Sequence, residues 1–436
     1  MKYAQFIIFY LNILGAMGFS LIAPLFPPLC KDKGISNQIC SYIISSICIT
    51  QIYGSIYSAY YIQKIGMKKL LIISLIGQIF CTFFYGFMYF IQNNFLFILS
   101  GFIDRLLHGF FSSCIAVIAF SITTTINEGK ELERAMGYME LSWGIGLAIG
   151  PAIIGIFFDI GGYCLPFVLI GFVDISGLYL FNTIPDKDLE ENKSRKGSTN
   201  SLEEEKKKEK ISLFSALLYI ENILLVGSLM VELNTTDFFI PTLVNYLKDS
   251  FSISTSRASL FFLASTIGYI ICTQTINTLT DLFNNFKLIF IGHLLAVVCC
   301  LLTAPIGFLP HNYIFILIGI FIQGYVGGMV NIPVFIELNN FGKKLFPKNK
   351  ELQRDIPSSL INFGFFVGDL ISPIVGAWIT AHFNFQKSAY FASMCSLSMA
   401  FIFRYHYINE IRGTKLIEKE NHLLENKESS INKDDN

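Results

Sequence analysis

The chain has 436 residues, 53% of them hydrophobic and only 15% charged, with no formal net charge at pH 7. Soluble domains carry about 25% charged residues, so this composition belongs to the membrane class. No basic domain marks a nucleic-acid partner. The ten cysteines form neither a CxxC nor a Cys/His spacing, which argues against a metal site.

Long apolar windows predict twelve membrane spans, at 4–29, 40–62, 70–91, 95–126, 135–159, 164–184, 221–246, 255–278, 287–308, 313–338, 357–381 and 388–408. The first run lacks a basic leader and a small-residue cleavage site, so it reads as a span. Cys30 and Cys40 flank the first polar loop, where a disulfide is one alternative. Six spans precede a polar segment and six follow it. The chain therefore divides into an N-terminal half (1–184), a linker (185–220), a C-terminal half (221–408) and a disordered tail (409–436). The linker is charge-balanced and poor in apolar residues, as in disordered chain. Glu203–Lys207 and Glu204–Lys208 also permit a short surface helix, and Phe214–Ile220 fits an interfacial segment.

Of the 32 Lys and Arg residues, 26 fall on the side of the amino terminus and 5 on the other, with Arg105 inside a span. This bias predicts cytoplasmic termini. Two sixes of spans suggest two repeats about an axis normal to the membrane. His108-Gly109 in the fourth span is echoed by Gln323-Gly324 in the tenth. Gly146-x3-Gly150-Pro151 in the fifth is echoed by Gly364-x3-Gly368 with Pro373 and Gly376 in the eleventh. Glycines let neighbouring membrane helices approach closely.

The stretch Gly137-x8-Gly146-x3-Gly150-Pro151-x2-Ile154-Gly155 resembles the antiporter motif of the major facilitator superfamily's proton-coupled drug and amine exporters, with Ile154 in place of one glycine. Arg105-x2-His108-Gly109 is similar to the family's proton-linked Arg-x2-Gln-Gly. Gln63-Lys64-Ile65-Gly66-Met67-Lys68-Lys69 resembles its gating loop, with Gln63 where aspartate is usual. Pro24-Leu25-Phe26-Pro27-Pro28, Gly137-Tyr-Met-Glu140, Gly161-Gly-Tyr163 with Pro166-Phe167, and Ile332-Pro333-Val-Phe335-x-Glu337 look like the vesicular amine transporters of solute carrier family 18, especially the polyamine-like branch. Gly15 stands where the monoamine members carry aspartate, with Asn12 nearby. The resemblance implies an all-α membrane fold of twelve helices in two six-helix halves, with Gly109, Gly146, Gly150, Pro151, Gly155, Gly66 and Lys68 in packing and gating.

Ionisable residues inside lipid are costly and mark functional sites. Arg105 lies near the midplane, as the partner of a titrating carboxylate or in a fixed pair with Asp104 or a helix-end carbonyl. Glu140 suits proton exchange, or a structural hydrogen bond. His108 has an ordinary pKa near physiological pH and joins them as a proton participant. Glu232 and Asp369, with Asp104, are the expected carboxylates for a cation, and Tyr325, Trp143 and Tyr138 could stack on it. Glu232 and Asp237 fall about 140° apart on a continuous helix, so Asp237 is expected nearer the outer end, solvated. Asn234-Thr235-Thr236 is a glycosylation sequon, but inside a span. Asp174 and His293 read as structural, and Glu337 as a gate partner of Lys343 or Lys344.

These residues predict a secondary transporter exchanging protons for an organic cation such as an amine, polyamine or drug. A facilitative carrier of a neutral or anionic solute is the first alternative, and a non-transporting receptor or scaffold the second. No phosphate-cradling loop, nucleophile–base pair or cofactor motif suggests an enzyme. The expected partners are the bilayer, a small solute and protons, for a monomer in the plasma membrane or an acidic vesicle or vacuole membrane.

Overall fold

The computed structural model describes residues 3–127, 129–184, 217–304, 312–345 and 350–406. Most of the linker and the tail from 407 lie outside the described residues, as do the expectations made for them. The chain is helical: α1 (Tyr3–Ser20), α2 (Ile22–Asp32), α3 (Asn37–Ile65), α4 (Met67–Phe87), α5 (Asn94–Ile126), α6 (Gly129–Gly161) and α7 (Cys164–Asn182), then α8 (Ile220–Thr236), α9 (Leu243–Phe251), α10 (Thr255–Leu282), α11 (Asn285–Thr303), α12 (Tyr313–Leu345), α13 (Lys350–His382) and α14 (385–406). Among the described residues nine helices are long and apolar enough to cross a membrane, with α1 and α2 counted as one, and the bent pair α8–α9 makes ten. With α3 and α14 the packed spans number twelve.

Helix starts are set by short polar caps. Ser36 accepts the Ile39 amide at the head of α3, and Ser254 accepts that of Arg257 at the head of α10. Two spans are interrupted. The first changes from α1 to α2 at Leu21, ahead of Pro24. The seventh leaves α8 at Thr236, makes a 3-10 turn over Asp237–Phe239 and resumes as α9, with a 42° bend. Pro241 accounts for the second break, because proline has no N–H to bond the Asp237 carbonyl one turn back and its ring clashes with that carbonyl.

The two halves repeat one contact pattern. In the first, α3 packs on α5, α4 on α5, and α1 on α6; in the second, α10 packs on α12, α11 on α12, and α8 on α13. Backbone proximity at glycine is mirrored too. A Cβ at Gly109 would meet the Ile47 carbonyl of α3, and one at Gly324 the Ser265 carbonyl of α10. The halves meet along α6–α10 and α3–α13.

The antiporter-type stretch serves both contacts of α6. On one face, a Cβ at Gly146 would meet the Ile13 carbonyl of α1, and one at Gly150 the Ser20 hydroxyl. On the other, Ser259 of α10 donates to the Pro151 carbonyl (3.1 Å), and Gly155 faces Leu260. Ile154, where a glycine is usual, is fully buried in the core of the first half. The second half answers with α13, whose Gly364, Gly368 and Gly376 face Leu229, Leu233 and Phe238 of the seventh span.

At the end of the bundle away from both termini, the halves are tied by polar contacts. Lys31 donates to Asp249 (2.6 Å), Lys248 lies 3.8 Å from Asp32, Asn245 donates to the Pro27 carbonyl and to Asn37, and Ser256 donates to Asp159 (2.5 Å). This end is closed. Cys30 and Cys40 are buried free thiols here, with no disulfide.

A charged cavity between the two halves

The cavity lies beside the Leu21 interruption of the first span and the bend of the seventh. It is lined by Phe19, Ile22 and Ala23 beside the α1–α2 break, Ile44, Ile47 and Cys48 of α3, Arg105 of α5, Asp237 and Ile240 at the α8–α9 break, and Asp369 and Pro373 of α13. Its free space is about 30 Å³, enough for one or two waters. An organic solute does not fit in this space.

Arg105 is the cation of the site, fully buried despite its size. Its guanidinium sits 5.9 Å from the centre of the Tyr85 ring, and one nitrogen lies 3.5 Å from His108 Nδ1. A guanidinium can only donate, so that ring nitrogen accepts and the His108 imidazole is neutral. Asp237 and Asp369 line the same cavity, and their carboxyl groups lie within hydrogen-bonding reach of each other. They come from different spans of the second half. Two carboxyls this close share a proton or a cation, since like charges at contact cannot both persist.

Asp237 is the residue that helical-wheel reasoning misplaces. The 140° separation from Glu232 assumes an unbroken helix, but α8 stops at Thr236 and Asp237 opens a 3-10 turn. The break turns Asp237 into the cavity instead of outward to solvent. The detectable signal was Pro241 four residues downstream. Gln323 of α12 donates to the Thr235 carbonyl at this break.

The other expected residues are dispersed. Glu232 is buried behind the cavity, where Thr236 donates to it (3.5 Å), Asn331 reaches it, and Gly327 of α12 leaves it room. Asp104 points into the α4–α5 contact, beside the Cys81 thiol. Tyr325 hydrogen-bonds Thr275 of α10 (3.1 Å). Gly66 joins α3 to α4 at φ +92°, a conformation suited to glycine, and Lys68 donates to the Ile184 carbonyl (2.9 Å). Glu140 lies on α6, but its side chain is outside the described residues; nearby, Asn12 of α1 donates to the Met139 carbonyl and to Ser142. Tyr138 and Trp143 are half-exposed; they pack against Phe9 and Phe19 of the first span.

Three further readings resolve locally. Asp174 accepts from Thr82 of α4 (3.3 Å), and His293 pairs with Ser228 (2.8 Å) under Phe403. Glu337 accepts from Asn285 of α11 (2.5 Å), an intra-half bond rather than the expected Lys343 or Lys344 gate. Asn234 accepts from Ser372 of α13 (2.9 Å), so the sequon is spent inside the bundle.

Twelve helices in two repeated halves, with a charged cavity at their shared mid-depth, define a secondary membrane transporter rather than an enzyme. The chain belongs to the Major Facilitator Superfamily, whose family model matches residues 8–336 and again 225–428. It is 23% identical over 385 residues to the mouse MFS-type transporter SLC18B1, covering 87% of this chain and 80% of that one. The human SLC18B1 is 22% identical, covering 94% of this chain and 88% of its own; these relatives set the chain close to solute carrier family 18. Multidrug resistance protein 2 of Bacillus subtilis is 26% identical over 151 residues, 34% of this chain and 36% of that one. Two solved structures share the fold. The nucleoside transporter NupG has a TM-score of 0.72 at 12% identity, covering 93% of this chain and 99% of its own. A D-xylose-proton symporter has 0.68 at 14%, covering 91% and 97%.

Proposed function

We propose that this transporter exchanges protons for an organic cation, an amine, polyamine or drug, by alternating access. The observation that carries the reading is one cavity lined by Arg105 from one half and by the neighbouring carboxyls of Asp237 and Asp369 from the other. A cation, a proton and the guanidinium compete for the same two carboxyls. Binding of one weakens the others, which is exchange by linkage. The likeness of about a third of the chain to a multidrug resistance protein supports an exporter of organic solutes. Residues 1–184 and 221–408 act as the two moving bodies of a monomer, with both termini in the cytoplasm and an acidic compartment or the exterior on the closed side.

The test is flux of labelled spermidine, a monoamine and a sugar into proteoliposomes, with and without a pH gradient. Gradient-driven accumulation of a cation is the expected result. Movement of the sugar with no response to the gradient overturns the reading.

A further inference from the structure

Asp104 and Arg105 are each 1% exposed. Neighbouring helical positions point about 100° apart, so Arg105 lines the cavity while Asp104 faces α4. Among the described residues, the Cys81 thiol is the neighbour that reaches the Asp104 carboxyl, and Arg105 Nε has no hydrogen-bond partner. No ion pair joins Arg105 to Asp104, Asp237 or Asp369 among the described residues. One buried guanidinium thus has Asp104 beside it on its own helix and shares the cavity lining with Asp237 and Asp369, ion-paired to none of the three.

The titratable groups around Asp104 are Arg105 of its own helix, Cys81 of α4 and Tyr163 beside α7, while His108 and Tyr85 lie against the Arg105 guanidinium. Cys81 and Tyr85 are buried neutral groups, Tyr163 likewise, and His108 accepts from the guanidinium. The Arg105 charge is therefore the one ion in this neighbourhood to which Asp104 answers. A carboxylate in such a place is tolerated only with a counter-charge, and a guanidinium likewise.

We propose that Asp104 carries the exchanged proton and thereby sets which acids Arg105 neutralises. This rests on the exchange reading above. When Asp104 loses its proton, the new carboxylate balances Arg105 from behind, and Asp237 and Asp369 are free for an organic cation. When Asp104 regains it, Arg105 turns its charge on the two aspartates and expels the cation. Asp104 touches no solute; it is a positioning residue acting through Arg105.

Binding of spermidine to the purified full-length protein in lipid is measured at neutral and acidic pH. Wild-type affinity is expected to fall about tenfold on acidification, the size of a typical coupling between sites. Asp104→Asn mimics the protonated acid and binds weakly at both pH values, while Asp104→Glu restores the response. Asp104→Asn with wild-type affinity and pH response overturns the proposal. If the wild type shows no affinity for spermidine at either pH, the exchange reading fails, and infrared spectroscopy still decides the role of Asp104. A carboxylic-acid C=O band that titrates in the wild type, disappears in Asp104→Asn and shifts in Asp104→Glu supports it. A spectrum unchanged in both variants overturns it.

Discussion

Lys31 at the tip of the first span grips Asp249 at the tip of the seventh, and the next residues reverse the pairing, Asp32 facing Lys248. The dipeptide Lys-Asp recurs at equivalent places in the two repeats, so one self-complementary contact closes the end of the bundle away from the termini twice. Repeat symmetry makes such reciprocity natural, as in a two-fold interface. All four side chains are between 44% and 65% exposed, and exposed pairs contribute only about 0–1 kcal/mol. The closure is therefore weak enough to open in each cycle.

Charge reversal at Lys31 places two acids opposite each other. Lys31→Asp is expected to raise labelling of cavity Cys48 by a membrane-impermeant thiol reagent from that side, by about two- to fivefold. The swap Lys31→Asp with Asp249→Lys restores wild-type labelling. Equal labelling in all three proteins contradicts the gate. Raising salt is expected to act in the direction of the single variant, since exposed pairs are screened.

Cys48 lines the same cavity as Arg105, Asp237 and Asp369. A bound organic cation is therefore expected to slow its modification. Protection that survives Asp369→Asn undiminished would place the solute elsewhere.

Asp237→Asn is expected to cost as much cation affinity as Asp369→Asn, about tenfold each, and the double variant little more, because residues acting as a unit are not additive. Glu232→Gln is expected to cost less, as its carboxyl lies behind the cavity against Gly327. Equilibrium binding of a labelled amine to each variant measures this. A larger loss at Glu232 than at Asp237 would reverse the assignment.

The glycine positions separate packing from mere presence. Gly146→Val and Gly150→Val force α6 away from the α1 backbone, and overpacking of this kind costs about 1–3 kcal/mol. Gly324→Val does the same against α10. Gly18→Ala, with nothing within 4 Å of the added carbon, is the matched control. Thermal unfolding in detergent is expected to show lowered Tm for the first three and an unchanged Tm for the fourth.

Much of the fold was legible because membrane helices announce themselves by length and by their glycines. Gly146, Gly150 and Gly109 sit at close backbone approaches, and Arg105 is fully buried. The carboxylates were harder. Glu232 looked central from its depth alone, but depth does not say which helix a side chain meets. Asp237 was read as peripheral because a wheel treats the span as continuous, while Pro241 breaks it and re-aims the residue. Asp104 was grouped with the solute ligands, yet it faces α4 beside Cys81, since adjacent positions on a helix face different neighbours. Glu337 lay near two lysines in sequence, but Asn285 of the adjacent helix was nearer in space.

The most direct measurement follows protons rather than solute. Proteoliposomes carrying a pH dye inside are exposed to spermidine without any imposed gradient. Exchange predicts an interior that turns alkaline as the cation enters and protons leave, a signal lost in Asp369→Asn. Entry of the labelled cation with no change in interior pH would contradict proton-coupled exchange.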